Sequence, residues 1–233
     1  KINIINGKNK QNKNVIKTNS CNPKINIKKE RNKSFSSLNS CDTKTQAKKY
    51  LTKNDFKGKS IYKIGAVCIA GEIVFGEKKI NQDNYFNSLL NGGIKFIGVC
   101  DGHGEYGHYV SDYLVKHLPL EFQKDLTKLL SEGINIFEKD NFIKLQNIFY
   151  SSFKRTDNNM LDYCKNDEEA KFDVEYSGST CVSILTKEEN MNTIYIGNVG
   201  DSRAIMIKET INKYWTCQQL SRDHKPTEKD EAN

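Results

Sequence analysis

The chain has 233 residues, 36% hydrophobic and 28% charged, with a formal net charge of +7. That length can bury a real core, and no run of about 18 apolar residues is present to cross a bilayer as a helix. The charge is divided: residues 1–60 hold 15 Lys and one Arg against Glu30, Asp42 and Asp55, a net +13, which leaves −6 for the other 173 residues.

Residues 1–60 are rich in Lys, Asn and Ser and poor in large apolar side chains, so they bury too little surface to offset their ordering entropy. They are read as a solvated, disordered extension. A basic tail can touch nucleic acid or an acidic membrane surface, but it lacks interleaved aromatics and a helical charge stripe. None of the seven cysteines stands in a C-x-x-C or in zinc-finger spacing with histidine. They are expected to be reduced core thiols of an intracellular protein, cytoplasmic or nuclear.

The composition changes near Ile61, and residues 61–70 alternate enough to predict a first strand. A second strand is expected over 84–90, ending at Asn91-Gly92-Gly93, a turn that suits a hairpin. Residues 94–100 are apolar apart from Lys95, as in a strand buried on both faces. Helical spacing follows in Val110, Tyr113, Leu114, His117 and Leu118, which makes His117 a packed core histidine. A second helix is predicted over 142–163 from Leu145, Ile148, Phe149, Phe153, Met160 and Leu161. Short strands are expected at 180–185, 193–198, 204–207 and 213–220. Strands and helices are segregated, which argues an α+β layered fold.

Four acidic segments can carry chemistry. A buried strand ends abruptly in Asp101-Gly102-His103-Gly104, which would hold a carboxylate rigidly at a cleft edge. Carboxylate and carbonyl oxygens are hard ligands suited to Mg²⁺ or Mn²⁺. Taken alone, Asp-Gly is as readily a turn. Asp83 opens the preceding strand and would also sit at a sheet end, or merely begin it. Lys78 offers a cation for a phosphate oxygen, or is solvated. Asp201 lies in the tight turn Asn198-Val199-Gly200-Asp201-Ser202-Arg203, where it could simply cap a hairpin. Asp223-His224-Lys225-Pro226 closes the series.

In this order the segments are specific. With Gly178-Ser179-Thr180, they resemble the protein phosphatase 2C family, the metal-dependent serine/threonine protein phosphatases, from about residue 61 to the end. The resemblance implies a four-layer α/β/β/α sandwich with two antiparallel sheets, here incomplete at the C-terminus. It implies hydrolysis of phosphoserine and phosphothreonine in phosphoproteins with two bridged Mg²⁺ or Mn²⁺ ions, and a third in some members. By carry-over, Asp101 bridges the metals, the Gly102 carbonyl binds one, and Asp83 binds directly or through water. Asp201 matches a third-ion position, His103 is the general acid, and Lys78, or Lys79 with the alignment moved by one, binds phosphate. No nucleophilic cysteine is needed, in keeping with the lack of a Cys-x₅-Arg pattern.

Two positions depart from the pattern. Gln82 stands where the family often has Glu, and Lys78 where Arg is common, so the phosphate would be held by a point charge rather than a fork. The family's other metal carboxylates lie downstream of the Asp223 segment. This piece alone is therefore expected to bind metal weakly and to show little phosphatase activity. The competing reading is a family member that has lost catalysis and serves as a binding module.

Overall fold

The computed structural model describes residues 3–8, 64–72, 79–167, 170, 172–187, 190–228 and 231, all in a single unit of the chain. Eight strands and two long helices are seen among them: β1 (Asn3–Lys8), β2 (Asp83–Leu90), β3 (Ile94–His103), α1 (Gly107–Ser131), α2 (Phe142–Asn166), β4 (Gly178–Ser179), β5 (Cys181–Lys187), β6 (Asn190–Val199), β7 (Ile205–Glu209) and β8 (Trp215–Gln219). One antiparallel sheet runs β1-β6-β5-β3-β2, with β4 paired to the end of β3, and β7-β8 form a second, two-stranded sheet.

The period-2 pattern of β3 decides the layering. Ile94, Phe96, Gly98, Cys100 and Gly102 are buried, while Val99, Asp101 and His103 are exposed on the other face. The buried side meets α1 and α2 in a core of Phe86, Phe96, Leu118, Phe122, Leu145, Phe149, Leu185 and Tyr195. Phe96 stacks on Phe122 at 4.5 Å between centroids, and Phe122 meets Phe149 edge-on at 4.9 Å. Each buried ring contributes roughly 2–3 kcal/mol by leaving water. On the opposite face Val182 and Ile196 form a second core with Ala204, Leu220 and Met206 beside the β7-β8 hairpin. Helices, large sheet and small sheet thus stack in the layered α+β order that the resemblance implies.

Gly92 and Gly93 take φ of +75° and +66° in the β2-β3 turn, so the turn needs residues without a Cβ. In α2 the buried Ser152 and Thr156 hydroxyls donate to the carbonyls of Ile148 and Ser152, which satisfies them inside an apolar face. α1 and α2 are joined by Arg155, whose guanidinium reaches Glu121 at 3.0 Å and Asp125 at 2.8 Å.

Four expectations change. β3 is not buried on both faces: Val99 is exposed with Asp101 and His103, because only the face toward the helices is fully covered at that end of the strand. Residues 64–70 form no strand: Val67 and Ile69 are 82% and 61% exposed, so their alternation meets no packing surface among the described residues. His117 is exposed on the flank of α1, stacked on Tyr113 at 4.0 Å, because Val110 and Leu118 take the inward face. Cys100 and Cys181 are core thiols as expected, but Cys217 is exposed on β8. The basic extension over 1–60 lies outside the described residues apart from β1, which pairs with β6 from Asn3↔Asn198 to Lys8↔Thr193. No described helix is long and apolar enough to cross a membrane.

Candidate metal and phosphate site

The register of β2 on β3 makes Asp83 the direct partner of Asp101. Cross-strand partners project from the same face, so both carboxylates leave the sheet on the side away from the helices. Partial burial, together with the charge of Asp101 and a hydrogen bond to it, pushes the Asp83 carboxyl above its usual range, with Lys79 opposing. Two carboxylates crowded together at a strand end repel, and a divalent cation between them removes that cost. The donor set therefore fits one wall of a hard-metal site. Among the described residues no third His, Cys, Asp or Glu joins them in one cluster.

The backbone around Asp101 is held on both sides. Its N–H donates to the Thr180 hydroxyl at 3.1 Å, and its carbonyl accepts the Thr180 N–H at 2.9 Å. The Thr180 hydroxyl also bonds Ser202 at 2.5 Å, in the turn that carries Asp201. One threonine thus connects the strand end to the Asp201 turn. Asp201 stays exposed, with Lys225 at 4.0 Å, and does not join the Asp83–Asp101 pair.

The Asp201 turn is clamped by the Asp223 segment. Arg203 forks onto the Asp223 carboxylate at 3.0 and 2.6 Å, and Lys225 approaches at 3.2 Å. Gly200 accepts the His224 N–H at 3.0 Å, and Asn198 donates to the Arg222 carbonyl at 2.7 Å. The role of Asp223 as a brace had no signal in the sequence, since its partner is 20 residues away.

Gln82 ties the turn together. Its side-chain amide donates to the Gly104 carbonyl at 2.6 Å, while its own carbonyl accepts the Gly102 N–H at 3.2 Å and the Ser111 hydroxyl at 2.6 Å. Gly102 is required by close packing: a Cβ there would meet the Gln82 oxygen at 2.5 Å and the Gly107 carbonyl carbon at 2.6 Å. Only glycine lets α1 begin against the end of β3. Of the phosphate candidates, Lys78 lies outside the described residues, and Lys79 is placed within electrostatic reach of Asp83.

The family model for protein phosphatase 2C matches residues 75–233, about two thirds of the chain, and spans every one of these segments. The chain belongs to the protein phosphatase 2C family. Probable protein phosphatase 2C 73 of Arabidopsis thaliana is 33% identical over 162 residues, covering 65% of this chain and 41% of the plant protein. Probable protein phosphatase 2C 52 of the same plant is 31% identical over 175 residues, covering 65% of this chain and 36% of that protein. This protein phosphatase 2C chain therefore spans less than half the length of those relatives. The crystal structure of a serine-threonine phosphatase 2C from Toxoplasma gondii superimposes with a TM-score of 0.47 at 26% identity, covering 66% of this chain and 49% of that one.

Proposed function

We propose that the protein is a Mg²⁺- or Mn²⁺-dependent phosphatase acting on phosphoserine and phosphothreonine in proteins. The observation that carries this reading is the Asp83↔Asp101 register pair, which sets two carboxylates side by side at the end of a buried strand. When bound, divalent ions supply an activated water for in-line attack on phosphorus and offset the charge of the phosphoryl oxygens.

The chain's own residues do the rest. Asp101, the Gly102 carbonyl and Asp83 would hold the ions along this wall. Thr180 keeps Asp101 from shifting as charge accumulates, through two hydrogen bonds to its backbone. His103, on the same face of β3 as Asp101, donates a proton to the departing seryl or threonyl oxygen. Lys78, or Lys79 beside it, attracts the phosphate before chemistry. Asp201 sits on the neighbouring turn as a site for a more weakly held ion.

The test is Mn²⁺-dependent hydrolysis of a phosphothreonine peptide by the intact protein and by its Asp101→Ala variant. Turnover is expected in the first and a loss of at least a hundredfold in the second, on the order of what one positioned catalytic group contributes. A folded wild-type protein without turnover would favour a binding module that uses the fold alone.

A further inference from the structure

His103 and Gly178 are register partners across β3 and β4, so their side-chain directions coincide. Gly178 has no side chain, and the imidazole of His103 occupies the space one would take. A Cβ at residue 178 would stand 2.7 Å from His103 Nε2 and 3.0 Å from Cε1. We propose that Gly178 is a positioning residue for His103: its bare α-carbon is the floor on which the imidazole rests, and this contact sets where the proton donor points. The inference rests on the general-acid role given to His103 above.

The surroundings make the floor rigid. Tyr106 donates its N–H to the Ser177 hydroxyl at 2.9 Å, which ties the loop after His103 to the residue before Gly178. At Gly104, φ is +82° and a Cβ would strike Ser177 Cα at 2.8 Å, so the two segments are packed backbone to backbone. Gln82 holds the other side of the same turn through the Gly104 carbonyl. The main chain on both sides of His103 is therefore fixed, and the ring is the movable part.

That contrast makes the inference testable. At Gly104 an added methyl meets backbone that cannot yield. At Gly178 it meets the far end of one exposed side chain, which can rotate away. Gly178→Ala should fold and displace the imidazole.

General-acid help matters for an alkoxide leaving group and little for p-nitrophenolate, which leaves without a proton. In the intact protein with Mn²⁺, the ratio of phosphothreonine-peptide to p-nitrophenyl phosphate turnover should fall at least tenfold in Gly178→Ala. His103→Ala should lower the same ratio, and the double variant should fall no further than His103→Ala. In parallel, the His103 ring resonances of the metal-free protein should shift in Gly178→Ala while the core resonances of α1 and α2 stay in place. An unchanged ratio, equal losses on both substrates, or additive losses in the double variant overturn the inference and leave the phosphatase reading standing. A wild type without turnover removes the phosphatase reading, and the resonance measurement then decides whether Gly178 places the ring. Unmoved His103 signals overturn that as well.

Discussion

Asp223 shows how one residue is tuned by what folding brings beside it. Hydrogen bonding from Arg203, reinforced by Lys225, outweighs desolvation and lowers its carboxyl from 3.8 to about 2. A carboxyl with a depressed folded-state value stabilises the fold fully above its unfolded value, near pH 4. That contribution is lost as pH falls through about 2. An NMR titration should place the Asp223 midpoint near 2 in the wild type and closer to the ordinary value in Arg203→Ala. A wild-type midpoint near 3.8 would mean that the clamp is not formed in solution. At the same scale, the place of Asp101 and His103 at a strand end was legible from the sequence because an apolar run stops on them. The brace on Asp223, the anchor on Thr180 and the Gln82 contact to Gly104 were not, because each joins groups 20 or more residues apart.

The two helices owe their pairing to one apolar seam and one polar clasp. Glu121 is nearly buried, and its desolvation is outweighed by hydrogen bonds and charges from Lys124 and Arg155. Arg155→Ala would leave Glu121 with Lys124 and Asp125 with Ser151, at a cost of about 2 kcal/mol in urea unfolding. Arg155→Lys should recover only part of that, since an ammonium cannot reach both acids as a fork does. Phe149→Ala removes a fully buried ring from the seam and should cost more, about 3–5 kcal/mol. Equal losses for Arg155→Ala and Phe149→Ala would show the clasp to matter as much as the core. Helical periodicity foretold α2 well but misassigned His117 on α1, because a stripe of four or five positions is wider than the face α1 buries there.

For the molecule as a whole, the metal is the expected link between activity and stability. Ligands bound only by the folded state stabilise it by mass action, about 2.7 kcal/mol at a hundredfold excess over Kd. The melting temperature of the intact protein should climb with Mn²⁺ concentration, and Asp101→Ala should abolish the rise. A variant that still responds would place the ions away from Asp101. The large sheet is the frame for this coupling: Asp83 and Asp101 end adjacent strands, and Thr180 leads into β5 beside them.

By itself, the sequence determined where both helices and most strands run and where they stop. Apolar runs, short β-branched and aromatic segments between turn residues, and helical spacing locate β2, β3, α1, α2 and β5 through β8, and the ordered acidic segments announce the phosphatase resemblance. Alternation also suggested a strand over 61–70, but a strand requires a partner as well as a pattern, and its described part, residues 64–70, pairs with none. What only the tertiary structure decided is adjacency. Asp83 faces Asp101 because antiparallel register aligns residues 18 apart, and Gly178 lies under His103 because β4 folds back across some 75 residues. Such contacts depend on strand order and register, which the packing of both sheet faces sets jointly and no local stretch of residues encodes.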